Sequence, residues 1–222
     1  MSVDFSGRRL VIFDFDGTLA DTKRGIISTA TKVLREHGVS EDQLDPANVG
    51  RIIGPPYPDA FELVFGLSRE EAESVTHDYR AIYHQLGLEA WPLFPGMGDL
   101  LCRLKDAGRL MAVASSKSHK LVMQSLKDNG VDELFDFVSG VMDEATKGKD
   151  VAILRALHAL DVAAEDAVMV GDRFYDVEAA RSVGVDCVGV RLSDTSEPGE
   201  LERAGAALVA ESVEDLERVL LS

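Results

Sequence analysis

The sequence predicts an α/β protein: a parallel sheet covered by helices on both faces, with a block of helices inserted into it. Three observations lead there. Short apolar, β-branched runs alternate with segments of helical periodicity, three of those runs end in Asp or Ser, and the alternation stops between about residues 20 and 90.

The first run, residues 8–14, reads Arg-Arg-Leu-Val-Ile-Phe-Asp and breaks at Gly17. Its lack of apolar–polar alternation fits a strand buried on both faces. Residues 110–116 and 167–172 repeat the pattern, and residues 187–190 and 207–210 are shorter versions. Between them, residues 97–107 carry Leu100, Leu101 and Leu104 on one helical face and stop at Gly108. Residues 119–129 carry Leu121, Val122 and Leu126 and stop at Gly130, and residues 149–160 carry Ile153, Leu154, Leu157 and Leu160. Strand–helix alternation implies right-handed crossovers, hence a Rossmann-like parallel sheet with ligands bound beyond the carboxyl ends of its strands. Residues 22–37, 58–65 and 70–86 read as helices with no convincing strand among them. The expected division is therefore a core of residues 1–19 and 91–222 and a helical insertion of residues 20–90, hinged near Ala20 and near Pro92 and Pro95.

Composition narrows the function classes. The chain has 222 residues, with 23 Lys plus Arg against 39 Asp plus Glu, a net charge of −16. That balance argues against tracking nucleic-acid phosphates or anionic lipid, which needs clustered cations. No apolar run approaches the roughly 18 residues of a membrane span, and the N-terminal residues show no secretory pattern. Cys102 and Cys187 are expected to be buried free thiols suited to a reducing compartment. A soluble, cytoplasmic protein with no nucleic-acid or membrane partner is the expectation, as a monomer or weak homodimer. The five histidines lack metal-ligand spacing, and Phe61, Phe65, Tyr79 and Tyr83 recur at four-residue spacing, as packing residues do.

The chemistry gathers at the strand ends. Asp14-Phe15-Asp16-Gly17-Thr18-Leu19 puts two carboxylates two residues apart after a buried strand; alone, such a pair often caps a helix. The hexapeptide resembles the first motif of the haloacid dehalogenase-like hydrolases, mostly phosphatases. The later motifs follow in order: Ser115 at the end of the second run, followed by Ser116 and Lys117, then a lysine in Thr146-Lys147-Gly148-Lys149, then Gly171-Asp172 with Asp176 four residues on. The resemblance spans essentially the whole chain and is specific in its first and fourth motifs. Two lysine spacings occur in the family. Lys149 fits the shorter and Lys147 the longer, and the absence of a following proline favours Lys149.

The resemblance implies a Mg²⁺-dependent phosphatase acting on small phosphate monoesters, phosphoglycolate phosphatase-like, with the insertion as a cap that excludes water and selects substrate. It makes Asp14 the nucleophile that becomes an aspartyl-phosphate and Asp16 the acid and base. It gives the metal to Asp14, the Asp16 backbone carbonyl, Asp172 and Asp176, and the phosphoryl oxygens to Ser115 and neighbouring N–H groups. Arg51, in Arg-Ile-Ile-Gly-Pro-Pro, and Lys117 are candidate substrate contacts, each with an equal claim to a surface role. Asp16 separates the chain from the dehalogenases, which have no acid there because halide leaves without a proton. Mutases share the acid but carry a basic residue that Asp21-Thr22-Lys23-Arg24 matches poorly. A nucleotidase or another sugar-phosphate phosphatase or phosphomutase of the same superfamily remains an alternative. Outside enzymes, the alternatives are a phosphoaspartate signalling domain, disfavoured by the insertion, and a silent binding protein, disfavoured by the intact acids.

Overall fold

The structure is a computed structural model and describes residues 5–221; residues 1–4, part of the segment read for a leader, and Ser222 lie outside the described residues. Six parallel strands form one sheet in the order β3-β2-β1-β4-β5-β6. They are β1 (Leu10–Phe13), β2 (Leu110–Ser118), β3 (Phe137–Val141), β4 (Ala167–Gly171), β5 (Asp186–Val190) and β6 (Leu208–Ala210). All four residues of β1 are buried. Val11 and Phe13 enter one hydrophobic core, Leu10 and Ile12 the other, as the two-residue period of a strand dictates.

Helices cover both faces. On the Val11 face lie α5 (Met97–Asp106), α6 (His119–Asp128) and α10 (Val213–Leu221), through Leu100, Leu104, Leu126 and Leu216. On the Leu10 face lie α7 (Lys149–Leu160), α8 (Phe174–Ser182) and α9 (Glu200–Ala204), through Ile153, Leu157, Val177 and Leu201. From β1 the strands first proceed outward through β2 to β3, then resume on its other side at β4. The strand order thus reverses at β1, and a crevice opens at its carboxyl end.

Between β1 and α5 the described residues contribute helices only: α1 (Lys23–Glu36), α2 (Pro46–Gly50), α3 (Asp59–Phe65) and α4 (Arg69–Tyr83). The two connections run side by side, tied by an isolated bridge between Ala20 and Leu93 and by Asp21 N–H donating to the Pro92 carbonyl at 2.8 Å. Trp91 is fully buried there and donates its Nε1–H to Asp128 at 3.1 Å. Two expectations are corrected. Residues 137–141, unassigned in the sequence, form edge strand β3. Cys102 is exposed on α5, whereas Cys187 is buried on β5, where burial pushes its thiol well up. No described helix is long and apolar enough to cross a membrane.

Candidate active site

Asp14 continues the line of β1, its N–H donating to the Val170 carbonyl at 2.9 Å, and the chain then turns sharply at Gly17 (φ 77°). Glycine is required twice over. That φ is strained for any side chain, and a Cβ there would stand 2.2 Å from Asp172 Oδ2. Asp172 follows β4, and Asp176 lies in the first turn of α8. A Cβ on Gly171 would meet the Asp176 carboxyl at 2.3 Å. These two glycines let three chain segments approach closely enough that carboxylate oxygens of Asp14, Asp172 and Asp176 all lie within 4.8 Å of one another, all three side chains buried.

Lys149, the first residue of α7, is buried among them, its Nζ 2.7 Å from Asp14 Oδ2 and 2.6 Å from Asp176 Oδ1. One ammonium does not neutralise three buried carboxylates. Burial pushes Asp14 up to about 6 despite the lowering pull of Lys149, with Asp176 adding to the rise. Burial, then the Asp176 and Asp14 charges, push Asp172 up to about 8. Burial works against the Lys149 charge, but Asp14 and Asp176 outweigh it and hold its pKa above the usual value. Asp14 Oδ1 is buried with no hydrogen-bond partner among the described residues. A hard divalent cation fits this donor set: oxygen ligands only, excess negative charge and an unused carboxylate oxygen.

Further groups fix the acids. Asp176 Oδ2 accepts the Arg173 N–H at 3.0 Å, so the helix-start role of an acid here coexists with its place in the cluster. Asp172 accepts from Thr18 Oγ1 at 3.2 Å and from Thr195 Oγ1. Thr18 stands in the first motif, but Thr195 belongs to a polar loop after β5 with no spacing to mark it.

The carboxylate of Asp16 stands apart from this cluster, which among the described residues holds the side chains of Asp14, Asp172 and Asp176. Asp16 Oδ1 is 2.7 Å from Lys117 Nζ, which lies over the Tyr83 ring at 4.8 Å and the Phe15 ring at 5.6 Å. Asp14, Asp16, Ser115, Ser116, Lys117 and Lys149 all line one pocket. Ser115 is buried where the β2–β3 register becomes irregular, between Ala114 and Ser118, and accepts the Lys117 N–H at 3.3 Å. The opposite wall comes from the segment between β1 and α5: Ile53 and Tyr57 from the α2–α3 connection, Tyr79, Arg80 and Tyr83 from α4, and His84 just after it. Tyr79 and Tyr83, read from sequence as packing residues, are buried and stacked at 5.1 Å, yet they also line the pocket.

Two candidates fall elsewhere. Lys147 points to the insertion and pairs with Asp59 at 2.5 Å, because Gly148 turns the chain before α7 begins. Arg51 is exposed, donates to Asn48 Oδ1 at 3.2 Å and lines a separate cleft. Its neighbour Ile53 supplies a carbonyl that Arg173 reaches at 2.5 Å, holding the insertion against the core.

The family described as haloacid dehalogenase-like hydrolase matches residues 11–190. A tyrosine-protein kinase, PtkA, of Mycobacterium tuberculosis is 38% identical over 82% of this chain, which spans only 62% of that relative's length. A 5'-nucleotidase of Pseudomonas aeruginosa is 31% identical over 84% of each chain. Among solved structures, a predicted phosphatase from Clostridium acetobutylicum superimposes with a TM-score of 0.88 at 29% identity, over 95% of this chain and 97% of that one.

Proposed function

The chain belongs to the haloacid dehalogenase-like hydrolase family, and on that premise we propose that it is a Mg²⁺-dependent phosphatase that hydrolyses small phosphate monoesters through an aspartyl-phosphate on Asp14. The observation that carries this reading is the buried cluster of Asp14, Asp172 and Asp176 around Lys149, with Asp14 Oδ1 unpartnered among the described residues.

In the first step an Asp14 carboxylate oxygen bonds to phosphorus while the ester P–O bond breaks, and the departing alkoxide takes a proton from Asp16. In the second, Asp16 removes a proton from water, the water oxygen bonds to phosphorus, and the Asp14–phosphorus bond breaks to release inorganic phosphate. The Asp16–Lys117 ion pair corresponds to the ionised form that the second step needs. Lys149 and Ser115 line the same pocket, where a cation and a hydroxyl stabilise charge on the phosphoryl oxygens. Asp14, Asp172 and Asp176, with the Asp16 carbonyl by family resemblance, would hold Mg²⁺. When bound, the ion supplies the positive charge that lets a carboxylate approach a dianionic phosphate.

The helices of residues 20–90 act in this reading as a cap. Their side chains wall the pocket and leave room for a small phosphorylated metabolite. Phosphoglycolate is the first substrate to try, and nucleoside monophosphates come next because a 31% identical relative is named a 5'-nucleotidase. The 38% identity to a tyrosine-protein kinase favours a second reading, in which phosphoryl is passed to a tyrosine hydroxyl instead of water. Incubation with p-nitrophenyl phosphate, with Mg²⁺ or with EDTA, tests the main reading: release of nitrophenol only with metal and only with Asp14 intact is expected. Turnover in EDTA, or by Asp14→Asn, contradicts it. γ-Labelled ATP separates the second reading, because only a kinase leaves label on tyrosine.

A further inference from the structure

The pocket wall opposite the acids holds two polar groups, the Arg80 guanidinium and His84 Nε2, that pair with no described residue. Arg80, in the last turn of α4, is half-buried and lines the pocket, yet no described carboxylate lies within ion-pair distance of it. In a chain with 39 acidic residues and 23 basic ones, an arginine kept partly out of water without a counterion is costly, unless something else supplies the anion. His84, four residues on and therefore on the same face, also lines the pocket, and its Nε2 is buried with no hydrogen-bond partner among the described residues. Arg80 and His84 share this pocket with Asp14, Asp16 and Lys117, so a molecule bound at the acids can reach them.

We propose that Arg80 and His84 form a subsite for a second anionic group of the substrate, a carboxylate or a second phosphate, and that the protein therefore prefers phosphate monoesters bearing another negative charge. The guanidinium supplies charge and paired N–H donors, and the imidazole Nε2 supplies one more hydrogen bond. This inference rests on the phosphatase reading for the reaction, but the subsite itself is a statement about binding.

Two matched pairs of substrates test it with the Mg²⁺-loaded protein. Ethyl phosphate against 2-phosphoglycolate isolates a carboxylate, and propyl phosphate against propane-1,3-diol bisphosphate isolates a second phosphate. The native protein is expected to favour the charged member of at least one pair, and which pair identifies the anion. Arg80→Ala is expected to lower that preference about tenfold or more, chiefly through KM, with Arg80→Lys retaining part of it and His84→Ala losing less. No preference in the native protein, or equal losses on charged and neutral members in Arg80→Ala, overturns the proposal. The same preference is readable as equilibrium affinity by calorimetry. Absence of turnover alone therefore counts against the phosphatase reading, and absence of differential affinity counts against the subsite.

Discussion

Lys149 Nζ lies 2.7 Å from Asp14 Oδ2, with both side chains buried at the carboxyl end of the central strand. The same ammonium reaches Asp176, so it is the only cation paired with the acid cluster among the described ion pairs. Replacing it with Met leaves buried carboxylates uncompensated, which costs about 3–5 kcal/mol when one partner of a buried pair is removed. Lys149→Met should therefore melt well below the native protein in EDTA and lose at least about a hundredfold in kcat on p-nitrophenyl phosphate. Lys147→Ala, which removes a part-exposed pair with Asp59 outside the acid cluster, should keep kcat within about threefold and stability within about 1 kcal/mol. Thermal melts and steady-state rates of the two variants side by side check the assignment.

Asp172 should make the metal-free protein less stable as pH rises. Its folded value of about 8 lies above the ordinary 3.8. Stability from the protonated carboxyl is complete below the ordinary value and is lost as pH climbs through about 8. Asp172→Asn removes that loss. In EDTA its melting advantage over the native chain should grow from pH 5 to pH 8.5, reaching at least about 4 °C. It should also abolish the rise in melting temperature that Mg²⁺ gives the native protein. An advantage that shrinks with rising pH would contradict the assignment.

Asp16→Asn should discriminate between leaving groups. An alkoxide needs a proton as it departs and nitrophenolate scarcely does, so a lost general acid costs about 10²–10⁴ on alkyl phosphates and markedly less on p-nitrophenyl phosphate. Equal losses on both substrate types would place Asp16 in another role.

Gly17→Ala tests the close approach that builds the cluster. The added methyl meets Asp172 Oδ2 at 2.2 Å from a backbone with φ 77°. The variant should lose Mg²⁺-dependent stabilisation and most activity, even where circular dichroism shows a folded sheet.

Asp14, Asp16 and Asp172 were legible in sequence because they stand where apolar strands end, and a parallel sheet brings strand ends together, whereas Asp176, in the first turn of α8, was marked only by the family resemblance. The fold class and the alternating cores were legible for the same reason: β1, β4 and the first five residues of β2 are unbroken apolar runs. Between Lys147 and Lys149 the sequence leaned to Lys149 only through the missing proline, and the physical reason, Gly148 (φ 116°) setting where α7 begins, is three-dimensional. Edge strand β3 escaped notice because Phe137-Val138-Ser139-Gly140-Val141 is only partly buried and interrupted by Ser and Gly. Its Gly140 is packed so closely on the β2–α6 junction that a Cβ would meet His119 Cα at 2.6 Å, a requirement with no one-dimensional trace. Arg80 and His84 look in sequence like a solvated helix face, and only the packing of α4 over the crevice turns that face inward. Arg51 shows the converse, a basic residue beside a Gly-Pro loop that the fold leaves in solvent.

Reductive trapping of the phosphorylated enzyme tests the central claim most directly. Borohydride added during turnover of p-nitrophenyl phosphate with Mg²⁺ converts an aspartyl-phosphate into homoserine, and peptide mass spectrometry locates it. Homoserine at position 14, absent when substrate or Mg²⁺ is withheld, is the expected result. Continued turnover with Asp14 unmodified, or trapping at another residue, would contradict the account.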